Sequence, residues 1–310
     1  MFIAGDWGTS QLRLYLCEYQ ESAPLTIVAN KLGLGISKID QDFEDVLFDL
    51  CDEWLSQYGQ MPVLLSGMVG STIGWHDAGY LDCPLPIDNI VDGRTQFTAR
   101  GLDISILSGL RTENILGSPD VMRGEELQLL GWKHLTKQTE PTQLIALPGT
   151  HNKWAVVKNG VIDTFLTALT GELFAVLKKH SVLISKTTDV NIDEDTFMEG
   201  VQTTENLSDS HLLHALFSTR SRQVVGGYSE SDGLSYLSGL LIGSDINGAL
   251  KLFAEQFPEI NSITLIGEDS LCHYYQLALK GHNITANIVD SQQIASAGYA
   301  AVYQKLYLER

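Results

Sequence analysis

The chain has 310 residues, 44% hydrophobic and 19% charged, enough apolar material for one large or two medium globular domains. Its formal net charge is -18 and no basic run exceeds two residues, which excludes the clustered cations that a nucleic-acid backbone requires and leaves room for a small anion held by a few local donors. No stretch reaches the ~20 consecutive apolar residues of a membrane-spanning helix, so no membrane partner is expected.

In chain order, "MFIAGDWG", "QLRLYLCEY" and "LTIVANKLGLG" run apolar or alternate, and predict a three-stranded antiparallel meander. Residues 41–58 follow with helical spacing: Phe43, Val46, Leu47, Leu50, Trp54 and Leu55 share a face, and Asp40 or Asp42 is placed to cap its start. "PVLLSGMVG" and "DISILSGL" read as buried strands of a covered sheet, and a helix is expected from about Val121 to His134. Then the opening theme returns. "QLIALPGTHNKWAVVKNGVIDTFLTAL" is again an apolar strand, a glycine-threonine turn, an alternating strand and a third strand. Helical stretches, the strand "SITLIGE", a helix over about 270–280, the strand "NITANIVD" and a last helix over about 292–308 complete the chain. The polar stretch 203–232 reads as a mobile insertion with one short helix. Two copies of one ββα-rich unit imply two similar domains facing a cleft: residues 1–135, residues 136–292, and a C-terminal helix over 293–310 returning to the first domain.

The cysteines Cys17, Cys51, Cys83 and Cys272 form no C-x-x-C pair and read as reduced structural thiols. Met1 leads directly into a strand with no basic leader, which sets the expectation of a cytoplasmic protein. Asn206-Leu207-Ser208 and Asn283-Ile284-Thr285 match the glycosylation sequon, which carries meaning only in a secreted chain.

The two small-residue turns carry the chemistry. Gly8 and Gly149 let the backbone approach an anion, and the hydroxyls of Thr9, Ser10 and Thr150 add donors. Asp6, a carboxylate beside the first turn, cannot bind phosphate itself but suits the magnesium ion that phosphates carry. Ordinary hairpin turns use the same residues, but the recurrence of the turn at the same place in a repeated unit favours a phosphate clasp. No G-x-x-x-x-G-K-[ST] loop is present, and Gly33-Leu34-Gly35 does not complete a dinucleotide fingerprint. His211 and His214 have metal-ligand spacing without a third ligand nearby, and read as solvated.

"GDWGTSQLRLYL" and "LPGTHNKW" resemble the two phosphate loops of the actin, Hsp70 and sugar-kinase superfamily. More narrowly, these and "LSGMVGSTIGWHDAGYLDCP", "SPDVMRGEELQLLG", "LTGELFAVL" and "LSGLLIGSDI" resemble the 2-dehydro-3-deoxygalactonokinase family over about residues 2 to 300. The resemblance implies an α/β fold of duplicated ribonuclease-H-like (actin-like ATPase) domains. It also implies a kinase that uses ATP and Mg2+ to phosphorylate the 6-hydroxyl of 2-dehydro-3-deoxy-D-galactonate; a phosphohydrolase or an ATP-binding sensor on the same fold is the rival. A homodimer stays open.

Beside that resemblance, Gly67, Met68, Val69, Gly70 and Ser71 form a small-residue loop whose amides suit carboxylate or hydroxyl oxygens of a sugar acid, with Trp75 as a wall and Gly33 approaching the same pocket. Ser118 or Asp120 would cap the next helix, with Pro119 in its first turn. The superfamily places its general base at the start of this helix, and Glu125 and Asp120 both qualify. Better-known sugar kinases carry Gly-Asp there; this chain has Gly124-Glu125. Arg123 suits a substrate carboxylate, with a salt bridge to Glu126 or Asp120 as the alternative. His151 and Lys153 are candidate phosphate donors, and Arg13 reads as a surface residue. The adenosine end is expected at Gly267 and against Gly239 and Gly243, whose alternative use is close helix packing.

Overall fold

The computed structural model describes all residues except 22, 138–139, 185–190, 206–210, 283 and 310. Both sequons contain residues outside the described set, at positions 206 and 283. The chain divides into two compact units: Met1–Pro141 with Lys158–Thr164 and Ser291–Arg310, and Thr142–Val157 with Phe165–Asp290. Both carry mixed sheets flanked by helices.

In the first unit, β1 (Phe2–Trp7), β2 (Gln11–Glu18) and β3 (Thr26–Leu34) form the predicted meander, each antiparallel to the next. Alternation sets the register: Leu12, Leu14 and Leu16 of β2 are buried while Gln11 and Arg13 are exposed. Helix α1 (Phe43–Tyr58) buries Val46, Leu47, Phe48, Cys51 and Trp54 against this sheet. Asp42 stands at its N-cap but makes no side-chain capping bond. β4 (Val63–Ser66) pairs parallel with β1, and the chain then turns through a short 3-10 helix, Met68–Gly70.

The short strands β5 (Tyr80–Asp82) and β6 (Leu85–Pro86) precede the hairpin of β7 (Arg94–Ala99) and β8 (Leu102–Leu107). The large sheet therefore runs β3-β2-β1-β4-β8-β7. β9 (Gly109–Glu113) and β10 (Pro119–Met122) make a second, three-stranded sheet with β5. Here the sequence expectation is corrected. Ser118, Pro119 and Asp120 do not start a helix, because Pro119–Met122 pairs antiparallel with Glu113–Leu110. Helix α2 (Glu125–Leu135) begins three residues after that pairing ends, and its N-cap, Gly124, has φ 108° and no side chain to cap it.

In the second unit, β11 (Thr142–Leu147), β12 (Asn152–Lys158) and β13 (Val161–Ala168) again follow one another; the first residues of β13 are counted with the first unit, where Val161 and Ile162 pair with Pro86 and Leu85. Helices α3 (Thr170–His180), α4 (Glu194–Glu205), α5 (Leu212–Val225) and α6 (Glu230–Gln256) come next. The stretch expected as a mobile insertion is thus largely helical among its described residues. Ser229 starts α6 through a reciprocal capping box with Asp232.

β14 (Ser262–Gly267), α7 (Asp269–Leu279) and β15 (Thr285–Asp290) complete the unit, giving the order β15-β14-β11-β12-β13. Leu234, Leu237, Leu240 and Leu241 of α6 form a core with Ala215 and Leu216 of α5. The final helix α8 (Ser291–Tyr307) belongs to the first unit and packs on α2. Contact is close: a Cβ at Gly131 would lie 1.9 Å from the Ile294 carbonyl oxygen, and one at Gly298 2.5 Å from that of Leu127. No helix of the described residues is long and apolar enough to cross a membrane.

Candidate active site

Within the first unit, Asp6 is the penultimate residue of β1, its side chain half-exposed, opposite Arg13 in the β1–β2 register. Arg13 is exposed, as expected, and its Nη1 lies 3.6 Å from Asp6 Oδ2. Desolvation pushes the Asp6 carboxyl up, and Arg13 pulls it partly back. Gly67 turns the chain beside it with φ 89°, where a Cβ would meet Asp6 Oδ1 and the Trp7 carbonyl at 3.0 Å each. A Cβ at Gly124 would in turn lie 3.6 Å from the Gly67 Cα, so the start of α2 stands next to the Gly67 turn.

That approach brings Arg123 and Glu125 to the loop. The Arg123 guanidinium stacks on Tyr80, 4.4 Å from the ring centroid, and its Nη2 donates to the Gly79 carbonyl at 2.9 Å. Its Nε and Nη1 are buried and have no hydrogen-bond partner among the described residues. Gly70 leaves space for it: a Cβ there would sit 2.9 Å from Nη1. Neither salt bridge considered for Arg123 forms. Asp120 accepts from Asn114 Nδ2 at 3.1 Å and from the Val121 N–H at 2.8 Å, and Glu126 turns back to the Gly124 N–H at 2.6 Å. Glu125 Oε2 accepts from the Arg123 N–H at 3.1 Å. Asp120, on β10 rather than on the helix, has both carboxylate oxygens engaged in holding its own hairpin.

Several expectations for this unit are corrected. The Gly70 and Ser71 amides close the 3-10 turn onto the Gly67 and Met68 carbonyls, and Ser71 Oγ donates to Met68 O at 2.7 Å, so those donors are spent. Val69 is buried in the core, Met68 packs against that core, and Trp75 meets Phe97 edge-on at 5.0 Å. Gly33 faces α1 instead of the loop: a Cβ there would strike Leu50 at 2.6 Å. Gly8 donates its N–H to Gln11 O at 3.0 Å, leaving Thr9 and Ser10 exposed at the tip of the turn, and the Ile36 and Ser37 amides strap it from behind.

In the second unit, Gly149 and Thr150 form the other turn, and beyond its chain neighbours nothing among the described residues lies within 4 Å of where a Gly149 Cβ would be. The Glu172 N–H donates to Thr150 O at 2.9 Å, anchoring the turn to the start of α3. His151 Nε2 lies 2.5 Å from Glu172 Oε2. Lys153 is buried and donates to Thr167 Oγ1 at 2.8 Å, so it is not a solvated lysine.

The adenosine expectations do not fit the packing. A Cβ at Gly239 would lie 1.9 Å from the Phe197 carbonyl oxygen, and one at Gly243 2.5 Å from Thr204 Oγ1. Helix α4 fills that face, and no flat ring can use it. Gly267 is buried against the Pro148 carbonyl, 2.8 Å from where its Cβ would be. His211 and His214 are exposed, and no group of three or more His, Cys, Asp or Glu suited to a metal occurs among the described residues.

Two carboxyls escaped the sequence reading. Glu126 is fully buried one residue after Glu125, with Oε1 unpartnered among the described residues. Asp245, in α6, accepts from Asn152 Nδ2 at 2.7 Å, Trp154 Nε1 at 2.8 Å, Thr170 Oγ1 at 2.8 Å and Tyr275 OH at 2.6 Å. Both look like exposed acids on helices in the sequence. The acid pair in "RGEEL" and the lone acid in the apolar run "LLIGSDI" were the available signals.

The model of the 2-keto-3-deoxy-galactonokinase family matches residues 6–302. The chain belongs to this family. It is 30% identical to "Probable 2-dehydro-3-deoxygalactonokinase DgoK1" of Rhizobium meliloti, over 99% of this chain and 97% of that relative. It is 31% identical to the 2-dehydro-3-deoxygalactonokinase of Escherichia coli, over 97% of each. A crystal structure of a candidate 2-dehydro-3-deoxygalactonokinase from Sinorhizobium meliloti superposes with a TM-score of 0.88 at 30% identity, covering 99% of this chain and all of that one. Membership places Arg123, Glu125 and both glycine-threonine turns inside the matched span of a galactonokinase-family protein.

Proposed function

We propose that this protein transfers the γ-phosphoryl group of ATP to the 6-hydroxyl of 2-dehydro-3-deoxy-D-galactonate, giving the 6-phosphate and ADP. The observation that carries the reading is Arg123: two buried N–H groups without an acceptor, stacked on Tyr80, beside a small-residue loop and an acid. Buried guanidinium N–H groups left without acceptors are costly, and the oxygens of a substrate carboxylate are charged acceptors suited to them. Glu125 is the group to take the proton as O6 attacks phosphorus and the bond to the β,γ-bridging oxygen breaks.

Phosphate oxygens fall to Thr9 and Ser10 in the first unit and to Gly149, Thr150 and His151 in the second, with Lys153 behind that turn. Asp6 fits magnesium: its carboxylate accepts no hydrogen bond among the described residues, is partly desolvated, and has only Arg13 to offset its charge. Bound there, the ion would neutralise phosphate charge. The shared strand orders, β3-β2-β1-β4-β8 and β13-β12-β11-β14-β15, support descent of the two units from one duplicated unit. Free, largely buried thiols and ATP use support a cytoplasmic setting.

Calorimetric titration with the sugar acid tests the site. Arg123→Met is expected to weaken binding about 10- to 100-fold, the worth of one or two charged hydrogen bonds. Glu125→Gln is expected to hold affinity within about threefold while turnover falls by about 10²- to 10⁴-fold. Equal affinity in wild type and Arg123→Met overturns the assignment.

A further inference from the structure

Asp245 lies 95 positions beyond Thr150 in sequence but is tied to the flanks of the Gly149–Thr150 turn: four donors from β12, α3 and α7 converge on its two oxygens. Asn152, two residues after Thr150, is fully buried, and its side-chain amide donates to this carboxylate. Thr170 opens α3, the helix whose Glu172 N–H holds the Thr150 carbonyl. Gly171 lies between them, so close that a Cβ would reach the Gly149 carbonyl oxygen at 2.4 Å. The turn is thus clamped on both flanks, by Asn152 after it and by α3 beside it, and both clamps end on the same carboxylate. Trp154 and Tyr275 donate from the remaining sides, and burial pushes the carboxyl up while the four donors pull it back. A buried acid without such a network is rarely kept, because its desolvation cost exceeds that of an apolar residue of the same volume. A core residue filling space would need no such set of donors.

We propose that Asp245 is a positioning residue for nucleotide binding: it fixes the Gly149–Thr150 turn, through Asn152 and Thr170, in the geometry that receives phosphate oxygens. The inference rests on the kinase reading for the identity of the ligand, and its test does not use turnover. An Asp245→Asn side chain presents an amide to donors that need acceptors, so the two flanking clamps cannot both close. Equilibrium binding of a non-hydrolysable ATP analogue, with folding checked by circular dichroism, reads the effect. Asp245→Asn is expected to weaken analogue binding at least tenfold while sugar-acid affinity stays within twofold. Thr170→Val and Tyr275→Phe, each deleting one donor, separate the routes: Thr170→Val is expected to weaken the analogue about three- to tenfold, and Tyr275→Phe by less than twofold. Unchanged analogue affinity in folded Asp245→Asn, or parallel loss of both ligands, overturns the proposal. Should Asp245→Asn fail to fold, equal analogue affinity in Thr170→Val and wild type overturns it. Wild type that binds the analogue but never phosphorylates the sugar acid would defeat the kinase reading alone.

Discussion

Glu126 lies fully buried behind Glu125, and burial, reinforced by the neighbouring Glu125 charge, pushes its carboxyl up to about 8. The Gly124 N–H and Arg123 oppose that shift without cancelling it. Because the folded value lies above the ordinary 4.5, the native state keeps a proton that the unfolded chain releases. Its contribution to stability is complete below about pH 4.5 and is lost as pH rises through about 8. Glu126→Gln has the same shape, still accepts the Gly124 N–H and does not ionise. Thermal melts from pH 5 to 9 are therefore expected to show the variant gaining on wild type as pH rises; a constant difference contradicts the assignment. At this scale the sequence could offer Arg123 only as a candidate, because a guanidinium suits a substrate carboxylate and a salt bridge equally well. It misled at Asp120, where Ser-Pro-Asp carries every local mark of a helix start and strand pairing with Thr112 prevails. It could not reveal Asp245 or Glu126, because burial of a helical acid is decided by donors remote in the chain.

Helix crossings explain the two α6 glycines, Gly239 and Gly243, that the sequence analysis assigned to adenosine. In the first unit α2 and α8 meet at Gly131 and Gly298; in the second α4 and α6 meet at Gly200, Gly239 and Gly243. A glycine that admits a purine and one that admits a helix backbone are the same residue in one dimension, and only the presence of α4 distinguishes them. Gly239→Ala pushes a methyl group into the Phe197 carbonyl, and overpacking of this kind costs about 1–3 kcal/mol. Its melting temperature should fall by several degrees while the KM for ATP stays within about twofold. A raised KM without loss of stability would restore the adenosine role. The α2–α8 crossing matters for function by a different route: it seats the N-terminus of α2, and with it Arg123 and Glu125, next to Gly67. Strands were legible because alternation of buried and exposed residues is local, as in β2; helix ends were less so, because Gly124 starts α2 by tertiary placement and without a side-chain cap.

At the scale of the whole chain, the recurring order of strand, glycine-threonine turn and strand was readable from hydrophobic periodicity alone, and both turns stand at the β1–β2 and β11–β12 connections of corresponding sheets. The three-stranded sheet of β5, β9 and β10 was not, because strands of three to five residues carry too little pattern to separate from loops. That small sheet is what presents Tyr80 to Arg123, the residue proposed to receive the substrate carboxylate. On the proposed reading, Arg123 and its surroundings receive an acid and the two turns receive phosphate, so the protein should not spend ATP on water. A coupled assay of ADP release with and without 2-dehydro-3-deoxy-D-galactonate measures this directly. The account predicts release that rises with the sugar acid, matches the 6-phosphate formed mole for mole, and falls to background when the acid is omitted; ADP release at the same rate without the acid would contradict it.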